Sequence, residues 1–313
     1  MAQPYKPEAG PWPVADSADT WRDPQRDREV PVRLYAPERL TRRWPLVIFS
    51  PGLGSSRDGY AYLGRHWAGH GYLAVHLTHP GTDAAALRGP DGRMPKPIKA
   101  FLAEVPHRID RPRDVSFVLD QLARRPAWSE RIDWGRIAVA GHSFGAYTAL
   151  ALVGLTVDLP ERPNSSFADE RVRAAIAMSP PGDGKFGLHA NSWAAVSRPV
   201  MSLTGTKDIE YGVGSAARRR TTFDRCPGPD QYLLTIQGAT HSTFDDQRDV
   251  LIKVRPTDPA HHAYIRMATT AFLDAYLGDD QQAARWLVAD ALTRLSDGAV
   301  TLERKCVTAL GLE

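Results

Sequence analysis

Gly141-His142-Ser143-Phe144-Gly145 is the stretch that decides the fold of this 313-residue chain. It reads G-x-S-x-G. Ahead of it runs Arg136-Ile137-Ala138-Val139-Ala140, apolar and suited to a buried strand. Behind it runs Ala146-Tyr147-Thr148-Ala149-Leu150-Ala151-Leu152-Val153, which suits a helix. Strand, sharp turn and helix are the setting in which a serine is held out on a strained turn above a sheet. The flanking glycines let the backbone reverse where a Cβ would clash. The bland alternative is a Gly-bounded turn between two core elements, so the pentapeptide alone does not fix a function.

Working outward, the alternation continues. Val30-Pro31-Val32-Arg33-Leu34-Tyr35 alternates as an early strand does, and Trp44-Pro45-Leu46-Val47-Ile48-Phe49-Ser50 is a continuous apolar run that suits a strand buried on both faces. Further strands are expected at Tyr72-Leu73-Ala74-Val75-His76-Leu77, Arg173-Ala174-Ala175-Ile176-Ala177-Met178, Pro199-Val200-Met201-Ser202-Leu203-Thr204 and, as the last, Tyr232-Leu233-Leu234-Thr235-Ile236. Helices are expected over residues 60–69, 111–124 and 260–276; in the second, Val115, Val118, Leu119 and Leu122 recur at helical spacing. Strand, helix and strand in turn imply an α/β fold with a mostly parallel central sheet, right-handed crossovers and helices on both faces.

The domain organisation expected is an N-terminal arm over 1–24, rich in Pro and Asp, then a main domain over 25–278 and a charged, partly helical extension over 279–313. Residues 81–108 are punctuated by Gly and Pro and read either as a partial lid or as a surface excursion. The loop over 180–196 carries Phe186, Leu188 and Trp193, candidate walls of a pocket.

Composition narrows the function classes. The net charge is +3, with 39 basic and 36 acidic residues, and Arg42-Arg43 and Arg218-Arg219-Arg220 are too short to be nucleic-acid sites. No apolar run approaches the ~18 residues of a membrane span, so stable membrane insertion is not expected. No apolar leader core is visible at the N-terminus, so a cytoplasmic setting is the default expectation. Cys226 and Cys306 read as two unrelated thiols, with a single disulfide as the alternative. His76 and His79 lack a third ligand, so neither a metal nor a cofactor is expected; His79, at a strand end, is a candidate for the pocket mouth.

A serine hydroxyl needs a base within hydrogen-bond reach, and the base needs an orienting acid. His241 closes Gly238-Ala239-Thr240-His241, directly after the last expected strand. Asp208 closes Gly205-Thr206-Lys207-Asp208, directly after the one before it. Ser143, Asp208 and His241 therefore come in the chain order of an α/β-hydrolase triad, each at a strand's C-terminal end. The rival acids are Glu210 and Asp183; the rival bases are His189, His261 and His262. An oxyanion needs backbone N–H donors. Leu53, in the glycine-bearing loop Pro51-Gly52-Leu53-Gly54-Ser55-Ser56, and Phe144, after the serine, are the candidates.

On the segments Phe49-Ser50-Pro51-Gly52-Leu53-Gly54, Gly141-His142-Ser143-Phe144-Gly145, Leu203-Thr204-Gly205-Thr206-Lys207-Asp208 and Gly238-Ala239-Thr240-His241, the chain resembles the α/β-hydrolase-fold serine carboxylic ester hydrolases. Within them it is similar to the platelet-activating-factor acetylhydrolase and dienelactone hydrolase-like group. The resemblance covers roughly residues 20–277 and implies hydrolysis of small or medium acyl esters through an acyl-enzyme, with no cofactor. Three positions depart from the group's pattern: Ser50-Pro51-Gly52 stands where His-Gly is common, Ala146 follows the elbow where a third Gly is common, and the nucleophile is serine where dienelactone hydrolases use cysteine. The substrate class does not carry over with the resemblance. An acyltransferase on the same residues, or a non-catalytic binding protein of the same fold, are the alternatives, and the oligomeric state is not legible.

Overall fold

The computed structural model describes residues 3–39, 41–88, 91, 93–209, 216–246 and 258–305. Strands β1 (Val14–Asp23), β2 (Arg28–Pro37) and β3 (Trp44–Ser50) lead through α1 (Ala61–Gly69) to β4 (Leu73–Leu77). Helices α2 (Ile98–Ala103), α3 (Val105–Arg124) and α4 (Pro126–Ser129) precede β5 (Ile132–His142) and α5 (Phe144–Ala151). A hairpin of β6 (Val157–Leu159) and β7 (Arg162–Ser165) precedes β8 (Val172–Met178) and β9 (Val200–Lys207). Then come α6 (Thr221–Arg225), β10 (Gln231–Thr240), α7 (Pro259–Leu277), α8 (Gln281–Val288), α9 (Ala291–Leu295) and β11 (Val300–Lys305).

Nine of these strands form one sheet in the order β1-β2-β4-β3-β5-β8-β9-β10-β11. The run from β4 to β10 is parallel. The β1–β2, β2–β4 and β10–β11 pairs are antiparallel. One core lies between the sheet and α1, α7 and α8, built from residues such as Leu63, Trp67, Phe272 and Leu287. The other lies under α3 and α5, from Val115, Leu119, Tyr147 and Leu150. Helices on both faces explain why β3 and β4 are apolar almost throughout: neither face meets water.

The sheet reaches beyond the limits expected for it. Residues 14–23 of the expected N-terminal arm are instead a strand of the sheet: β1 pairs with the whole of β2, from Val14↔Pro37 to Asp23↔Arg28. Most of β1 is exposed, and only Trp21 and Asp23 in it are buried, so it carries no apolar run to read. Ahead of it, Tyr5 donates to Asp274 Oδ2 at 2.8 Å and the Trp12 ring meets Trp44 edge-on at 5.2 Å. The segment over 279–313 is helical in α8 and α9, but β11 then returns to the sheet beside β10. The strand expected at 232–236 is therefore not the last. In β11, Thr301 and Glu303 are exposed, and again no apolar run marks the strand. Part of residues 81–108 is regular: α2 lies within it, and α3 begins at Val105 with Pro106 in its first turn, where a missing N–H is tolerated.

Cys226 is a buried free thiol that burial pushes up to about 12. Cys306 lies outside the described residues. Among the described residues, no helix is long and apolar enough to cross a membrane.

Burial also sets the acid response. Desolvation lowers His66 to about 3, His76 to about 4 and His79 to about 3. All three are neutral in the fold at pH 5–7, whereas in the unfolded chain they take up protons below about 6.5. The unfolded state then binds more protons, so stability falls as pH falls from about 6.5, by at most about 1.4 kcal/mol per pH unit for each histidine. Denaturant melts at pH 7.5 and pH 5 measure this. The expected result is a lower midpoint at pH 5; an equal or higher one contradicts the account.

Candidate active site

β5 ends at His142, and the chain turns into α5 through Ser143, at φ 55° and ψ −114°. That conformation is strained for a residue with a Cβ. The turn exists because its neighbours are glycines. A Cβ on Gly145 would lie 1.8 Å from the Ser50 carbonyl oxygen, and one on Gly141 would lie 2.2 Å from the Gly145 oxygen. The start of α5 is thus pressed against the C-terminal end of β3. Ser143 N–H donates to the Met178 carbonyl at 2.9 Å, tying the turn to the end of β8. The Ser143 side chain is half-buried.

His241 follows β10 in a 3₁₀ turn, His241–Phe244, whose start is fixed by a reciprocal capping box between Thr240 and Thr243. Its Nε2 lies 2.9 Å from Ser143 Oγ, and its Nδ1 lies 3.0 Å from Asp208 Oδ1. With Nδ1–H donated to the carboxylate, Nε2 is left as the acceptor for the serine hydroxyl. Asp208 follows β9 and is fully buried. Burial alone would raise its carboxyl. The hydrogen bond and charge of His241, the Arg219 guanidinium and the Ser179 hydroxyl outweigh that and hold it well below the usual carboxylate range.

The structure thus brings Ser143, His241 and Asp208 into one hydrogen-bonded chain. The rivals sit elsewhere. Asp183 pairs with Arg225 at 2.6 Å, and Glu210 lies outside the described residues. His189 faces Asp158 at 3.5 Å. His262 Nε2 donates to the Thr243 carbonyl, and His261 lies in the first turn of α7.

Leu53 is half-buried in the loop after β3. That loop runs beside the elbow: a Cβ on Gly52 would lie 3.3 Å from His142 Nδ1. Gly54 N–H donates to the Thr82 carbonyl at 2.8 Å. Phe144 is the first residue of α5, where an N–H has no carbonyl one turn back to bond. Tyr60 spans the two segments. Its hydroxyl accepts from Gly52 N–H at 3.3 Å and donates to His142 Nδ1 at 2.8 Å.

Some expected pocket residues are core instead. Trp193 and Leu188 are buried, and Trp193 Nε1 donates to Thr222 Oγ1. Phe186 stacks on Phe144 at 5.0 Å between centroids. His79 is not at a pocket mouth; it is buried between Ser50 and Asp114. Among the described residues no group of three or more His, Cys, Asp or Glu is placed to hold a metal ion.

The second layer around Asp208 was not legible. Ser179 donates to Asp208 Oδ2 at 2.5 Å, and Thr204 Oγ1 donates to the same oxygen at 3.0 Å. Ser179 Oγ also lies 2.8 Å from His241 Nδ1, a second acceptor for that N–H. Arg219, buried and just ahead of α6, has Nε 3.4 Å from Asp208 Oδ1 and donates to the carbonyls of Ser179 and Pro180. Its Nη2 lies 3.2 Å from His241 Nδ1. In the sequence Arg219 is the middle of a short arginine run that reads as a solvated face.

Comparisons with known proteins identify the family and the fold. A family model described as "Alpha/beta hydrolase family" matches residues 47–307. The chain is similar to a platelet-activating factor acetylhydrolase of Cavia porcellus, 21% identical over an alignment of 300 positions that covers 82% of this chain and 63% of that protein. It is also similar to Cutinase 1 of Thermobifida cellulosilytica, 25% identical over an alignment of 254 positions that covers 77% of this chain and 80% of the cutinase. The chain spans between half and two thirds of the length of the acetylhydrolases it matches. Among solved structures, a ferulic acid esterase from Streptomyces cinnamoneus shares the fold, with a TM-score of 0.68, 22% identity and coverage of 95% of this chain and 98% of that one.

Replacing Arg219 with Met removes a cation from Asp208 and a donor from two buried carbonyls. The expected loss of stability is about 3 kcal/mol, read from denaturant melts at pH 7. A midpoint equal to that of the native protein contradicts the reading of Arg219 as a support of the buried carboxylate.

Proposed function

This chain belongs to the alpha/beta hydrolase family, and we propose that it is a serine carboxylic ester hydrolase that works through an acyl-enzyme. The observation that carries the proposal is the continuous chain from Ser143 through His241 to Asp208, at 2.9 and 3.0 Å. The similarity to an acetylhydrolase and a cutinase supports it.

In the proposed reaction Ser143 Oγ attacks the ester carbonyl while His241 Nε2 takes its proton. Asp208 holds the Nδ1–H tautomer and stabilises the imidazolium that forms. The carbonyl oxygen becomes an oxyanion, for which the backbone N–H groups of Leu53 and Phe144 are the proposed donors. Collapse breaks the ester C–O bond, and His241 returns the proton to the leaving alcohol. A water then attacks the acyl-enzyme by the same steps, with His241 again as base, and releases the acid and Ser143. The half-buried setting of Ser143 and His241 suits a base that must meet both substrate and water.

Ser143→Ala tests the assignment. Turnover of a p-nitrophenyl ester is expected to fall by roughly 10⁵- to 10⁶-fold with the melting temperature retained. Turnover near the native value in that variant contradicts the proposal.

A further inference from the structure

We propose that Arg111 is a positioning residue for the oxyanion hole: one buried guanidinium holds both backbone segments whose N–H groups receive the developing charge. The inference rests on the ester-hydrolase reading above.

Arg111 lies on α3 and is 1% exposed. Its Nη2 donates to the Pro51 carbonyl and, at 3.2 Å, to Ser50 Oγ. Its Nη1 donates to Thr82 Oγ1 at 2.7 Å. The Thr82 carbonyl in turn accepts from Gly54 N–H. The loop is therefore anchored on both sides of Leu53 by a single cation and the threonine bonded to it. On the helix side, Arg111 Nε donates to Thr148 Oγ1 at 3.2 Å, and that hydroxyl donates to the Phe144 carbonyl at 3.1 Å. The guanidinium carbon also sits 4.6 Å from the centroid of the Phe144 ring. A planar group with five donors in a fixed fork suits this task, because it ties several acceptors together with little freedom of its own.

The same cation also touches a closed array. Ser50 Oγ donates to His79 Nε2 at 2.9 Å, and His79 Nδ1 donates to Asp114 Oδ2 at 2.9 Å. Asp114 accepts from Arg28 Nε at 2.8 Å and Nη2 at 3.0 Å, and pairs with Arg26 at 2.8 Å. Ser50, His79 and Asp114 thus repeat the bonding of Ser143, His241 and Asp208. All three are at most 1% exposed, so no substrate meets this serine. Its hydroxyl instead accepts from Arg111. The array fixes the end of β3 from which the oxyanion loop departs.

The test is Arg111→Met in the full chain, with sites counted by fluorophosphonate titration. The expected result is a kcat per titrated site lower by about 100-fold, with KM within about threefold and an unmoved acidic limb of the pH profile. The inhibition constant of a trifluoromethyl ketone, which forms the tetrahedral adduct, should rise by the same factor as kcat falls. A merely structural role predicts a lower melting temperature with native kcat per titrated site and native ketone affinity, and that result overturns the inference. If Arg111→Met does not fold, Arg111→Lys keeps the charge but cannot span the same acceptors. It should show the same pattern at about tenfold, and native kcat in it overturns the inference. Native protein that neither hydrolyses esters nor takes the fluorophosphonate overturns the ester-hydrolase reading itself. Native enzyme that does both, beside unimpaired Arg111 variants, overturns this inference alone.

Discussion

The contact between α5 and the end of β3 is the constraint on which the rest of the site depends. Gly145 and Gly141 lie so close to the Ser50 carbonyl and to each other that no side chain fits at either position. That closeness holds Ser143 in a strained conformation, at a cost of order 1–3 kcal/mol that the surrounding sheet must offset. It also brings the first residue of α5 beside the loop that leaves β3, the two segments that carry the proposed oxyanion donors Phe144 and Leu53. The parallel neighbours do the rest. β5, β8, β9 and β10 lie side by side, and the residues that leave their C-terminal ends share one edge of the sheet.

Two Ser–His–Asp arrays lie on the two sides of this contact, and their bond lengths are nearly the same. Hydrogen-bond geometry therefore does not by itself distinguish a reactive serine from an inert one here. Access and backbone strain do. Ser143 is half-buried on a turn with positive φ, whereas Ser50 is sealed at the end of a regular strand with a guanidinium on its oxygen. In the closed array, burial and the nearby Arg111 charge lower His79 to about 3 and keep it neutral, which leaves it a weak base. The inner array braces the loop; the outer one is open to solvent.

The sheet centre and the outer array were legible because each rests on a local signal. A strand buried on both faces is an unbroken apolar run, as at Trp44–Ser50, and each of Ser143, Asp208 and His241 directly follows such a strand. The edges were not legible, for the converse reason. β1 meets water along most of its length and carries no apolar run, and β11 alternates over only four residues, Val300 to Glu303, before its charged end. Arg111 and Arg219 were missed for another reason again. In sequence an arginine in the charged first half of an amphipathic helix, or one in an arginine run, reads as solvated. Only the tertiary packing of α3 under the loop, and of the 216–220 turn against β8 and β9, buries them. Ser179 is equally silent, because its partner lies 29 residues away.

The central claim is that Ser143 carries the acyl group between two chemical steps. The most direct measurement is rapid acid quench of the enzyme with p-nitrophenyl acetate, followed by mass spectrometry of the peptide that contains Ser143. The account predicts a burst of about one equivalent of p-nitrophenol per site, with an acetyl group on Ser143 that decays as turnover proceeds. Steady turnover with no burst, or an acyl group found on another residue, would contradict it.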